Sequence, residues 1–77
     1  MKAIVGKKYR HFKGGEYIVV EIGYDTEIDG RKLVVYKSLY DSKVWIRPYE
    51  MFISKVDKEK YPNVKQIYRF EEVKEND

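Results

Sequence analysis

His11 is the chain's one histidine and the first place to look for acid–base chemistry. A general base needs a pKa near the working pH and a partner that orients it. No serine–histidine–acid spacing surrounds His11, and the sequence contains no cysteine. As a hydrogen-bonding group at a strand end it would need no such partners, and that is the commoner role of a lone histidine. Metal chemistry fares worse. One histidine and scattered carboxylates give no ligand spacing, so no metal and no cofactor is expected. Lys13-Gly14-Gly15-Glu16 has the glycines of a phosphate cradle, but it lies between strand-forming runs and ends in an acid, so it reads as a turn.

Recognition chemistry is better represented. Trp45 and Arg47 are two residues apart, which puts them on one face of a strand. If Val44 and Ile46 face the core, that face is the outer one, and it sets a large apolar ring beside a fixed cation. Trp, Tyr and Arg are the types that anchor interfaces. A purely structural role competes with this: Trp45 would cap the end of a barrel and Arg47 would pair with a carboxylate such as Glu16 or Glu50. Tyr36 and Tyr40, separated by Ser38, share one face of the preceding strand. Tyr9, Arg10 and His11 join them if the first strand pairs alongside, with Lys13 adding charge. The expected ligand-binding set is therefore Tyr9, Arg10, His11, Tyr36, Tyr40, Trp45 and Arg47. Such a face suits a protein or peptide partner through polyproline stacking, or single-stranded nucleic acid through base stacking.

These side chains must be positioned by short strands. Tyr17 to Tyr24 alternates, with Ile18, Val20, Ile22 and Tyr24 forming a continuous apolar face against Tyr17, Val19, Glu21 and Gly23. Lys8 to Phe12 precedes it as a short strand. Asp29-Gly30 between two β-rich runs predicts a type I′ hairpin, which needs positive φ at both central positions. Leu33 to Tyr40 follows, apolar on both sides, so it is central and covered twice, or one of its faces awaits a partner. Tyr40 to Lys43 is a turn and Val44 to Arg47 a fourth strand. Pro48 stops that strand and presets a helical turn over Tyr49 to Phe52. Ile53 to Val56 is extended and Asp57 to Lys60 a charged loop. Asn63 and Gln66 imitate a capping box, yet the β-rich Ile67-Tyr68-Arg69-Phe70 favours a closing strand over Ile67 to Glu72. Val73 to Asp77 is expected to fray.

The whole is all-β: a small antiparallel SH3-like barrel of five to six short strands, with one helical turn before the last strands. An OB-type barrel is the nearest competitor. At 77 residues the chain is expected to form one domain, 1–77, with an ordered core over about 7–72. No apolar run has membrane-spanning length, no disulfide is possible, and a cytoplasmic location is expected. The formal charge is +3. It is unevenly spread: Met1 to Gly15 holds five bases and no acid, and Glu16 to Gly30 five acids and no base. Blocks of this kind can pair across strands.

Tyr9-Arg10-His11-Phe12-Lys13-Gly14, Val34-Val35-Tyr36 with Leu39-Tyr40, Trp45-Ile46-Arg47-Pro48 with Met51-Phe52, and Arg69-Phe70 together resemble a bacterial family, domain-of-unknown-function family 1653. The resemblance runs from about Tyr9 to Phe70 and implies a small, stand-alone, SH3-like protein. Its members often carry a second histidine, with Glu-Thr soon after, in the loop following the long strand. Here that region reads Gly23-Tyr24-Asp25-Thr26-Glu27, so an activity needing a histidine pair is not implied. Three functions compete: a non-catalytic binding module using the aromatic and basic face, a structural homodimer closed by an apolar outer face, and a small-molecule enzyme with His11 as its acid or base. The thin core favours the first over the third, because a chain this short has little volume for a water-excluding active site.

Overall fold

The computed structural model describes residues 1–74. Five antiparallel strands form one sheet: β1 (Lys8–His11), β2 (Glu16–Tyr24), β3 (Lys32–Ser38), β4 (Val44–Pro48) and β5 (Phe70–Glu72). One helical turn, α1 (Tyr49–Phe52), lies between β4 and β5. The order across the sheet is β4-β3-β2-β1-β5. The mainly β fold and the helical turn before the last strand are as the sequence leads one to expect. Pro48 stands at the turn's N-terminal cap with φ −54°, the value its ring imposes.

Register divides the side chains between two faces, because residues opposite one another in an antiparallel ladder point the same way. Tyr9 faces Tyr17, Tyr17 faces Ser38, Val19 faces Tyr36, and Tyr36 faces Trp45. This inner face packs on α1. Tyr9, Val19, Val34, Tyr36, Phe52 and Phe70 are buried there, joined by Ala3 from ahead of β1. Phe52 and Phe70 stack at 4.0 Å. Tyr36 meets both rings edge-on at 5.3 and 5.4 Å, and Tyr9 meets Phe52 at 5.4 Å. Large rings compensate for few residues, since each removes much apolar area from water. The Tyr9 hydroxyl accepts from the Ile4 N–H at 2.9 Å and donates to the Lys2 carbonyl at 3.1 Å, which ties the N-terminal segment to the core.

The expected faces of β2 are inverted in its first half. Val19 is buried and Val20 is 45% exposed, and the register between β2 and β3 shifts between Val19 and Glu21. Val20 is the extra residue of a β-bulge. It breaks the period-two phase, so Tyr17 and Val19 point inward before it and Ile22 after it. A pattern count has no means of seeing one unpaired residue.

The connection from β2 to β3 also differs from the hairpin expected. It runs over residues 25–31, where the Asp25 N–H donates to the Arg31 carbonyl at 2.8 Å and Arg31 Nε lies 3.4 Å from the Asp25 carboxylate. Gly30 has φ +78° but Asp29 does not have positive φ, so the turn is not type I′. β3 ends at Ser38 rather than Tyr40, because the Ser38 hydroxyl accepts the Tyr40 and Asp41 N–H groups and starts the turn there.

Past α1 the chain returns through an isolated bridge between Lys55 and Tyr68 before β5 begins at Phe70, two residues beyond it. No helix forms at Asn63. Gln66 instead donates its amide to the Tyr68 and Arg10 carbonyls, at 2.9 and 3.1 Å, pinning the loop to β1. The Val73 N–H donates to the Lys8 carbonyl at 2.9 Å, so that residue still belongs to the ladder. The rest of the expected frayed tail, residues 75–77, lies outside the described residues. Among the described residues no helix is long and apolar enough to cross a membrane.

Candidate functional site

One end of the inner face is not covered by α1. There β4, the end of β1, the start of β5 and the loop around Asp57–Tyr61 enclose a cleft of about 690 Å³. Its floor is Tyr17, Tyr36 and Phe70, and its walls carry Trp45, Arg47, His11, Phe12 and Tyr61. Lys13, Lys60, Arg69 and Asp57 supply the charge.

The two β4 residues reach it because Trp45 lies opposite Tyr36 and Arg47 opposite Val34, both inward. Val44 and Ile46 are the outward pair, 55% and 64% exposed. The sequence expectation that Trp45 and Arg47 share a face holds, but that face is the inner one. The physical reason is that β4 is an edge strand beyond the covered core, so apolar size does not select the buried side. Trp45 is 47% exposed, half against the cleft wall and half in solvent, with Lys43 Nζ 5.7 Å from its ring.

Arg47 lies over the Phe70 ring at 5.5 Å, linking the two edge strands β4 and β5 by side chains. Its Nη1 is buried and has no hydrogen-bond partner among the described residues. The carboxylate pairing considered for it does not occur with Glu16, which binds Arg10 at 2.9 Å on the outer face. An unpaired buried guanidinium nitrogen carries an unrecovered desolvation cost.

His11 meets Phe70 edge-on at 4.9 Å and stacks on Phe12 at 4.7 Å. Its Nδ1 accepts the Lys13 N–H at 3.1 Å, in a tight turn that Gly14 and Gly15 close at φ +99° and +85°. Burial, joined by the cations of Arg47, Arg69 and Lys13, lowers the His11 pKa to about 4. The ring is therefore neutral near pH 7, with Nδ1 as acceptor and the proton on Nε2. That is a fixed donor rather than a poised base. Burial raises the Tyr36 phenol, while the charge of Arg47 and a side-chain hydrogen bond with it work the other way. Tyr61 is lowered by hydrogen bonding to Lys13, whose Nζ is 5.2 Å from its ring.

Four cations meet one acid in the cleft, and that acid is engaged: Asp57 Oδ1 accepts the Glu59 and Lys60 N–H groups of its own turn, at 3.0 and 3.4 Å. Arg69 donates from Nε to the Ser54 hydroxyl at 3.2 Å. The field in the cleft is positive, and it adds to burial in holding His11 neutral.

Of the seven residues expected to form a site, four meet here: His11, Tyr36, Trp45 and Arg47. Three do not. Tyr9 is 1% exposed in the core under α1. Arg10 points to the opposite face, since it alternates with the inward Tyr9 and His11 and pairs with Glu16. Tyr40 is 94% exposed in the turn after β3, because that strand stops two residues earlier. Tyr17, Phe12, Phe70, Tyr61, Lys60 and Arg69 line the cleft without belonging to the expected set. Tyr61 and Lys60 lie in a loop with no periodic signal, whereas Arg69 adjoins the β-rich run that closes the sheet. The loop over residues 25–31, where the histidine of the resembling family would fall, contributes nothing to the lining. Among the described residues no three histidine, cysteine or acidic side chains cluster to hold a metal ion.

No curated protein and no solved structure matches the chain. A family described as "Protein of unknown function (DUF1653)" matches residues 7–72, a span that includes every strand of the sheet and every wall of the cleft. The chain belongs to the DUF1653 family.

Proposed function

We propose that this chain is a non-catalytic, cytoplasmic binding module of SH3-like build, and that its cleft holds an anionic partner against aromatic walls. The observation that carries this reading is Arg47: a guanidinium set on the Phe70 ring beside the Tyr36 phenol, lining a cleft of four cations whose one carboxylate is already engaged. A charge left in that condition is stabilised when an anion arrives, since charge-assisted bonds to guanidinium are strong and Arg offers a planar fork for them. The neutral His11 adds a neighbouring donor without needing to titrate.

Inorganic pyrophosphate is a suitable probe. Nitrogen-detected NMR should show saturable shifts of the Arg47 guanidinium and His11 ring signals as it is added. Arg10, on the outer face, serves as the internal control. Equal movement of Arg10 and Arg47, or no movement of either, removes the proposal.

A second reading rests on the outer face. Val44 and Ile46 are exposed on β4, at the sheet edge, with Val35 opposite Ile46. A second copy laid edge to edge would cover them and continue the ladder, as unpaired strand edges invite. Light scattering across a concentration series tests it, and a monomer at every concentration ends it.

A further inference from the structure

We infer that the anion this cleft takes is a single strand of nucleic acid, an inference that rests on the cleft being the binding site. The rings form a continuous path, with cations at both ends and Arg47 within it. Trp45 leads by one pleat to Arg47, which lies over Phe70 at 5.5 Å; Phe70 meets His11 at 4.9 Å, and His11 stacks on Phe12 at 4.7 Å. Phe12 then meets Tyr61 at 4.9 Å, with Lys13 and Lys60 5.2 and 5.6 Å from that last ring. Lys43 flanks Trp45 at the other end.

Each ligand class answers this path differently. The cations come from separate elements (β4, the β1–β2 turn and the loop after α1) and flank the rings at both ends of the path, with Lys43 at Trp45 and Lys13 and Lys60 at Tyr61, which suits a chain of charges more than one monoester. An acidic peptide carries charges but meets Trp45 and Tyr61 with a flat surface only where an aromatic residue falls among them. A proline-rich peptide carries flat surfaces but nothing for the cations to meet. Duplex nucleic acid has the charges but keeps its base faces stacked on one another. A single strand has both, a phosphate chain and unstacked bases that accept an aromatic ring of any protein that offers one. The Arg47 guanidinium, which lines the cleft, then bonds a phosphate beside the Nε2–H of His11.

The test is fluorescence anisotropy of a labelled oligothymidylate of about eight residues, titrated with the whole chain over a range of salt. Three phosphate contacts predict a log–log slope of about −2, or roughly twenty-fold weaker binding on going from about 50 to 200 mM salt. Lys60→Ala should flatten the slope by about 0.7, and Tyr61→Ala should weaken binding about ten-fold without changing the slope. Arg10→Ala should change neither. Melting curves on each variant separate lost binding from lost folding, and Tyr61 and Lys60 lie outside the core cluster. Three outcomes overturn the inference. A duplex of equal length binding as tightly would show that stacking plays no part. A phosphotyrosine or polyglutamate peptide binding where the oligonucleotide does not would leave the cleft as the site and remove the nucleic acid from it. Failure of oligonucleotide, peptide and pyrophosphate alike would take the underlying reading down as well.

Discussion

Tyr36 and Trp45 stand opposite one another across the β3–β4 ladder, and this pairing turns β4 so that its tryptophan and arginine look into the fold rather than away from it. Tyr36 is 4% exposed and Trp45 47%, so the pair spans the passage from core to solvent. A buried wall thus runs without interruption into a recognition surface. The same side chains that give the core its edge give the cleft its floor.

Fluorescence of the single tryptophan reports on that surroundings. Trp45 is half-exposed beside Lys43 and shares its face with Arg47. Iodide, an anion drawn to such a field, should quench it more strongly than caesium at equal concentration and low salt, and the difference should shrink as salt is added. Equal quenching by both ions would mean that the positive field does not reach the ring.

Stability should fall on the acid side of neutrality because of His11. Its folded pKa, about 4, lies below the unfolded value near 6.5, chiefly through burial. Between these values the unfolded chain binds the proton and the folded chain does not, so acidification from about pH 6.5 to 4 favours unfolding. Allowing for solvent screening at a ring that is only half-buried, the loss is about 1–2 kcal/mol. Urea midpoints for the native chain and His11→Gln across this range isolate the effect, which should be absent from the variant. Parallel pH curves for the two would contradict it.

Arg47→Met separates binding from stability. The substitution removes the buried, unpaired Nη1 together with the hydrogen bond to the Tyr36 phenol, and keeps apolar contact with Phe70. Stability should change by no more than about 1 kcal/mol, as relief of the desolvation cost offsets the lost hydrogen bond and cation–π contact. Anion binding should be lost. A marked drop in melting temperature would instead assign Arg47 to holding the two edge strands together.

The bulge makes neighbouring valines unequal. Val19 is 1% exposed and Val20 is 45% exposed. Val19→Ala should cost about 2 kcal/mol through lost burial and the cavity left behind, and Val20→Ala within about 0.5 kcal/mol. For a domain of this size each kcal/mol shifts the melting temperature by roughly 4–8 °C. Similar losses at both positions would place the irregularity elsewhere in β2.

The strands, their order of appearance and the helical turn at Pro48 were legible in the sequence, because alternation, turn residues and a proline stop are local signals. What was not legible depended on counting across partners. Val20 shifts the phase of β2 by a pairing event, not by its own chemistry. Tyr9 and Tyr61 are both tyrosines in a basic neighbourhood, yet one closes the core through its hydroxyl and the other rims the cleft from a loop. Trp45 and Arg47 were placed together correctly from spacing alone. Which way they face is set by Tyr36 on the next strand, and no property of the β4 segment encodes it.

The β4 and β5 strands are the two borders of the sheet, and Arg47 resting on Phe70 is the clasp between them. A guest lodged there touches both borders at once, like a plank laid across a gap. Occupancy and stiffness then become one event: amide exchange at Phe70–Glu72, far along the chain from β4, should slow when the guest is in place, and the protein would announce its partner by ceasing to breathe along that seam.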